Sequence, residues 1–98
     1  MPAPAHRDFT LEPADTERLA NVAGPFDEHL RQIELRLGVE IANRGNVFRV
    51  SGAEDAAASA EHLLRALYQE SAETTFDSHA IHLRLNEANV DHLDDEGY

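Results

Sequence analysis

The sequence predicts an α+β fold: a three-stranded antiparallel sheet covered on one face by three helices, with a further helix appended near the C-terminus. Three observations predict it. Phe26, Leu30, Ile33 and Leu37 recur at the helical period, and Gly38 follows at once as a left-handed stop. Val39 and Ile41, then Phe48 and Val50, alternate on either side of Asn43-Arg44-Gly45-Asn46, a run tolerant of positive φ, which reads as a β-hairpin. Ala56, Ala60, Leu63, Leu64 and Leu67 then share one helical face.

Taken in order, Met1-Pro2-Ala3-Pro4-Ala5 opens a flexible leader assigned to residues 1–8. Phe9-Thr10-Leu11-Glu12 has strand-like residues and is stopped by Pro13. Asp15 is placed to cap a short helix, with Glu17 in its first turn where the helix dipole favours an anion. Leu19, Val22 and Ala23 give that helix an apolar face, and Gly24 ends it. Pro25 suits the first turn of the next helix, because its missing N–H would be unpaired there anyway. Glu28, Arg31, Gln32 and Arg36 face away from its stripe. Ser51 and Glu54 have capping-box spacing and are expected to open the third helix, with Leu67 and Tyr68 closing it against the sheet. The order β-α-α-β-β-α fills residues 9–70.

Residues 71–98 read as an acidic linker. Within it Ile81, Leu83 and Leu85 alternate like a strand, whereas Ile81, Leu85 and Ala88 fit a helix. Asp77 as a cap, and the length, select a helix over 77–88. Asp91 to Tyr98 is acidic enough to be read as disordered.

Composition narrows the function. A chain of 98 residues holds one small domain, which buries about 65% of its unfolded surface. There is no cysteine, which excludes a disulfide framework and a thiolate metal site and fits a cytoplasmic location. No apolar run approaches the roughly 20 residues of a membrane span, and no signal-peptide pattern is present. The net charge of −11 is unevenly spread: residues 54–98 carry eleven acids against Arg65 and Arg84, whereas residues 15–53 carry six acids against five arginines. Phosphate neutralisation supplies most nucleic-acid affinity, so this balance argues against strong autonomous binding. All eight cations are arginines, which favour planar, bidentate contacts over diffuse attraction.

The runs Phe9 to Asp15, Glu17 to Asn21, Gly24-Pro25-Phe26-Asp27 through Glu34, Leu37-Gly38-Val39-Glu40-Ile41 and Arg44-Gly45-Asn46 closely resemble the N-terminal part of bacterial PhoH-like proteins. The likeness covers roughly residues 9–70, with a weaker echo around Asp77 to Glu87, and the stretch from Gly24 to Asn46 is its specific part. The resemblance implies a KH-like domain of type I order, followed in the parent protein by a P-loop ATPase related to helicases. It further implies a role in RNA metabolism and, in some bacteria, a partner endoribonuclease. ATP and Mg are expected for the parent's ATPase domain, which is absent from this chain. A P-loop needs a lysine, and this sequence has none, so no ATPase activity is expected of it.

In KH modules a Gly-x-x-Gly loop brings backbone N–H groups against the phosphates of about four unpaired nucleotides. The resemblance places Gly24-Pro25-Phe26-Asp27 there. Asp27 stands at the second glycine, Pro25 removes a donor, and Asp27 and Glu28 put carboxylates where phosphate would lie. The RNA-binding candidates are Arg18, Gly24, Phe26, Arg31 and Arg44: Phe26 to stack on a base, and Arg18, Arg31 and Arg44 to line one groove and hold backbone. The competing readings make Phe26 a core anchor of the helix stripe, Asp27 an intrahelical cap and Arg44 a solvated turn residue. His79 and His82, three residues apart with Asp77 and His92 in reach, are the weak metal candidates. Zinc takes three or four converging ligands, so surface histidines are the default. His29 and His62 lie among helix charges and are expected to be exposed. No nucleophile–base pair suggests catalysis. The two function classes are therefore a weak single-stranded RNA module and a protein-interaction or oligomerisation module on the same scaffold.

Overall fold

The computed structural model describes residues 5–94, with side chains through Asn86. It is an α+β arrangement: β1 (Ala5–Thr10), α1 (Thr16–Ala23), a single 3₁₀ turn (Pro25–Asp27), α2 (Glu28–Leu37), β2 (Glu40–Arg44), β3 (Val47–Gly52), α3 (Glu54–Glu70) and α4 (Ser78–Asp94). The sheet is antiparallel with order β1-β3-β2.

Its register follows from alternation. Phe48 and Val50 on the central strand are buried, so Val47 and Arg49 turn away from the helices. Phe9 lies directly opposite Phe48, and their rings stack at 5.8 Å between centroids. The outer face then reads in three rows: His6, Ser51 and Glu40; Asp8, Arg49 and Ala42; Thr10, Val47 and Arg44. α3 lies over β1 and β3, and α2 lies against β2. Val22, Leu30, Ile33, Leu64, Leu67 and Tyr68 fill the space between the layers.

The chain enters the sheet earlier than expected. Residues 5–8, assigned to the leader, pair with β3 from Ala5↔Gly52 onward. Polar His6, Arg7 and Asp8 hid the strand, because its stabilising contacts are distant in sequence. Arg7 Nε donates to Glu61 Oε1 at 2.6 Å, and Arg49 grips Asp8 across the strands. The strand ends at Thr10 rather than Glu12. Leu11 continues the pairing only through its main chain, donating its N–H to the Asn46 carbonyl and accepting from Asn46 Nδ2.

Helix ends explain two further points. Asp15 caps α1 as its position predicts, accepting from the N–H groups of Glu17 and Arg18. The capping box at Ser51 does not form. Ser51 stays in β3, opposite His6 and Glu40, and α3 is entered two residues later from Ala53, which offers no side-chain cap.

α4 is no bare linker. Ile81 and Leu85, one turn apart, are buried in the common core with Phe76, while Leu83 is 48% exposed. That is helical rather than strand spacing, and the helix runs on past the expected boundary at residue 88 to Asp94. Side chains fasten it: Asp77 caps it at the Ala80 N–H, Gln32 binds Ser78, Arg36 binds Asn86, and Arg84 pairs with Glu70. Of the acidic stretch read as disordered, residues 91–94 continue α4 and 95–98 lie outside the described residues. No helix among the described residues is long and apolar enough to cross a membrane.

The outward edge of β2 carries one notable contact. The Ile41 N–H donates to Glu34 Oε2 at 2.8 Å, a carboxylate reaching down from α2.

Candidate nucleic-acid interface

The loop from Gly24 to Asp27 joins α1 to α2 and holds the only non-glycine residues with positive φ among the described residues. Gly24 has φ +76°, and Phe26 and Asp27 have φ +55° and +58°. Left-handed φ is costly for residues with a Cβ, about 1–2 kcal/mol each. Two in succession, one of them aromatic, mark this turn as conformationally strained. Two main-chain bonds close it: the Asp27 N–H donates to the Gly24 carbonyl at 3.1 Å, and the Glu28 N–H donates to the Pro25 carbonyl.

Phe26 is 99% exposed. The core-anchor reading is therefore overturned. Spacing placed Phe26 on the stripe with Leu30, but α2 begins only at Glu28, and the reversed φ turns the ring outward. Leu30 and Ile33 are buried and Leu37 is half-buried, so the stripe is real from Leu30 onward. Asp27 occupies the cap position of α2 yet makes no side-chain cap bond, because its left-handed backbone aims the carboxylate away from the first-turn N–H groups. Both it and Glu28 remain exposed beside Phe26.

His29 is the residue that sequence reasoning missed. It is 2% exposed, not solvated. Its Nδ1 lies 3.1 Å from the Asn21 carbonyl and 3.3 Å from that of Val22, so Nδ1 carries the proton and donates to the C-terminal carbonyls of α1. A Cβ added at Gly24 would fall 2.6–2.8 Å from three atoms of the His29 ring. The imidazole thus fills the space that glycine leaves, and it fixes the entry into the loop. The available signal was position: His29 stands one turn before Ile33 on the inward face. His62 is exposed as expected.

The arginine candidates are dispersed. Arg18 is structural: its Nη2 donates to the Tyr68 carbonyl at 2.6 Å, its Nε to Ser71 Oγ at 3.3 Å, and its guanidinium lies 4.4 Å from the Tyr68 ring centre. The Tyr68 hydroxyl donates to the Pro13 carbonyl, completing a tie between the ends of α1 and α3. Arg31 is exposed on α2 and forms no ion pair or hydrogen bond among the described residues. Arg44 is equally unengaged, but it shares the outer face of the sheet with Val47 and Thr10. Gly24 and Arg18 border one cavity of about 650 Å³ with Asn21, His29 and Phe76. Arg31 borders another of about 690 Å³, with Glu34, Leu35 and Glu40 between α2 and β2. The structure therefore brings Gly24 and Arg18 together, sets Phe26 at the loop tip, leaves Arg31 along α2, and puts Arg44 on the opposite face of the sheet. No common groove joins the three arginines.

His79 and His82 are exposed on α4, where His82 Nε2 accepts from Asn86 Nδ2 at 3.2 Å. The His92 side chain lies outside the described residues. Among the described residues no group of three or more His, Asp or Glu is placed to hold a metal ion. No known protein-family model matches the chain.

Proposed function

We propose that this chain is a KH-like accessory domain of a PhoH-like ATPase, a non-catalytic module that positions single-stranded RNA for the parent's ATPase domain. The observation that carries this reading is Phe26: a fully solvated aromatic on a strained, glycine-led turn between two helices. Such a ring has no packing reason to be there. It offers a flat face on which an unpaired base can stack, an interaction of about 1–3 kcal/mol. The order of helices and strands around the turn supports the same reading. Charge sets the strength. Arg31 alone among the candidate arginines is an unengaged cation on α2, and Asp27 and Glu28 oppose phosphate, so affinity from this chain is weak and the parent supplies the remainder.

The test is an NMR titration of the chain with a short single-stranded RNA at low salt. Amide shifts are expected at Gly24, Phe26, Asp27 and Glu28, fading as salt is added and lost in Phe26→Ala. An absence of shifts at millimolar RNA overturns the reading. One observation favours a second: Phe26 is flanked by carboxylates, and Leu35, 87% exposed, lies further along α2. An acidic surface with apolar anchors suits a basic protein partner. In that case the same amides shift with the parent's ATPase domain or its ribonuclease partner, and not with RNA.

A further inference from the structure

We propose that docking of α4 and display of Phe26 are coupled through a latch made by Asn21 and His29. Asn21, near the end of α1, uses its whole side chain on the α3–α4 connection. Its Nδ2 donates to the Thr74 carbonyl at 2.6 Å, and its Oδ1 accepts from the Phe76 N–H at 2.7 Å. Its own carbonyl receives His29 Nδ1. The His29 ring in turn lies against Gly24, where no side chain would fit, and Gly24 starts the turn that holds Phe26 outward. These contacts form a continuous chain from the segment entering α4 to the loop. Phe76 is buried in the same cavity wall as Asn21, Gly24 and His29.

The turn is strained, so it persists only while its surroundings hold it. Among the described residues α4 is held by Ile81 and Leu85 in the core and by the bonds of Gln32, Arg36 and Glu70 at its margins. Undocking it loosens the connection at Phe76, whose N–H donates to Asn21 Oδ1, and so weakens the hold on the Asn21 side chain. The α1 terminus is then free to shift, His29 loses its seat, and the turn relaxes towards ordinary negative φ with Phe26 folded back. A force or partner acting on α4 thereby switches the exposed aromatic without touching it. This inference concerns the display of Phe26 and holds whichever partner Phe26 meets.

The experiment needs no ligand. The chain has no tryptophan, so Phe26→Trp makes a single reporter at an exposed position. In that background Asn21→Ala and Leu85→Ala are expected to change indole anisotropy and to move the amides of Gly24 and Asp27. Arg49→Ala, which breaks an exposed pair with Asp8 on the outer face of the sheet and touches neither α4 nor the latch, moves neither. Coupling is reciprocal, so His29→Leu is expected to shift the amides of Thr74 to Phe76. Amide changes confined to residues 72–86 in Asn21→Ala, with Gly24, the indole and Asp27 unmoved, overturn the proposal. If Leu85→Ala loses cooperative unfolding, Asn21→Ala and His29→Leu decide, since neither empties an α4 core position.

Discussion

The two ends of α2 are built on opposite principles. At its C-terminus Gly38 takes a left-handed conformation with φ +68°, its N–H returns to the Glu34 carbonyl, and a Cβ there would meet nothing within 4 Å. That is an ordinary stop with its strain removed by glycine. At the N-terminus glycine sits two residues too early to relieve Phe26 and Asp27, the cap side chain is idle, and the aromatic points into solvent. The same chain caps α1 with Asp15 in the standard way. Strain at one of three comparable termini is therefore local, and it coincides with the most exposed large apolar side chain among the described residues.

Glycine substitutions separate the two ends most sharply. Gly24→Ala meets both an unfavourable φ and the His29 ring, which together cost about 2–4 kcal/mol. Gly38→Ala meets only the unfavourable φ, about 1 kcal/mol. Urea unfolding of the pair checks the ratio; equal losses would remove the distinction. A smaller effect of opposite sign is expected from Phe26→Gly. It relieves a left-handed aromatic and forfeits no burial, so the unfolding free energy rises by up to about 1 kcal/mol, net of glycine's entropy in the unfolded chain. A stabilised protein that no longer shifts with any partner would show that the aromatic is kept for contact and not for folding.

The smallest effect lies across the molecule, on the sheet side. Hydrogen bonds from Arg7, then from Arg65, hold the Glu61 carboxyl below its usual range, and Arg49 does the same for Asp8. A depressed folded-state value means that the contribution is present above the unfolded carboxylate range and is lost as pH falls through the folded value. Arg7 and Arg65 are exposed and Glu61 is only partly buried, so Glu61→Gln costs about 1 kcal/mol or less at neutral pH, and the gap to wild type closes below roughly pH 4. Thermal melts between neutral and acid pH follow it. Combined with Gly24→Ala, the losses add within about 0.5 kcal/mol, because the two sites share no partner.

Local chemistry made much of the fold legible. Asp15, the Leu30–Ile33–Leu37 stripe, Gly38 and the Asn43–Asn46 hairpin all act within one or two turns of chain, and the structure uses each as its residue type suggests. What escaped was set by distance or by φ. The start of β1 depends on Arg7 meeting Glu61 and on Asp8 meeting Arg49, partners far along the chain. Periodicity carried Phe26 into the core because a hydrophobic stripe does not record a reversed dihedral. His29 was judged by polarity when its place one turn from Ile33 was the better guide. Arg18, Arg31 and Arg44 looked like one set in sequence, but sheet register sends Arg44 to the far face and Tyr68 occupies Arg18.

The Glu34 carboxylate on the Ile41 N–H has a consequence for how copies of this protein meet. β2 is an edge, and an open edge is a template for another strand. Glu34 occupies a donor that an incoming strand would need and presents it with a negative charge instead. A crowded solution of this chain is thus denied a simple route to growing its sheet from one molecule into the next, and a helix residue with no part in the core serves as the strand's guard.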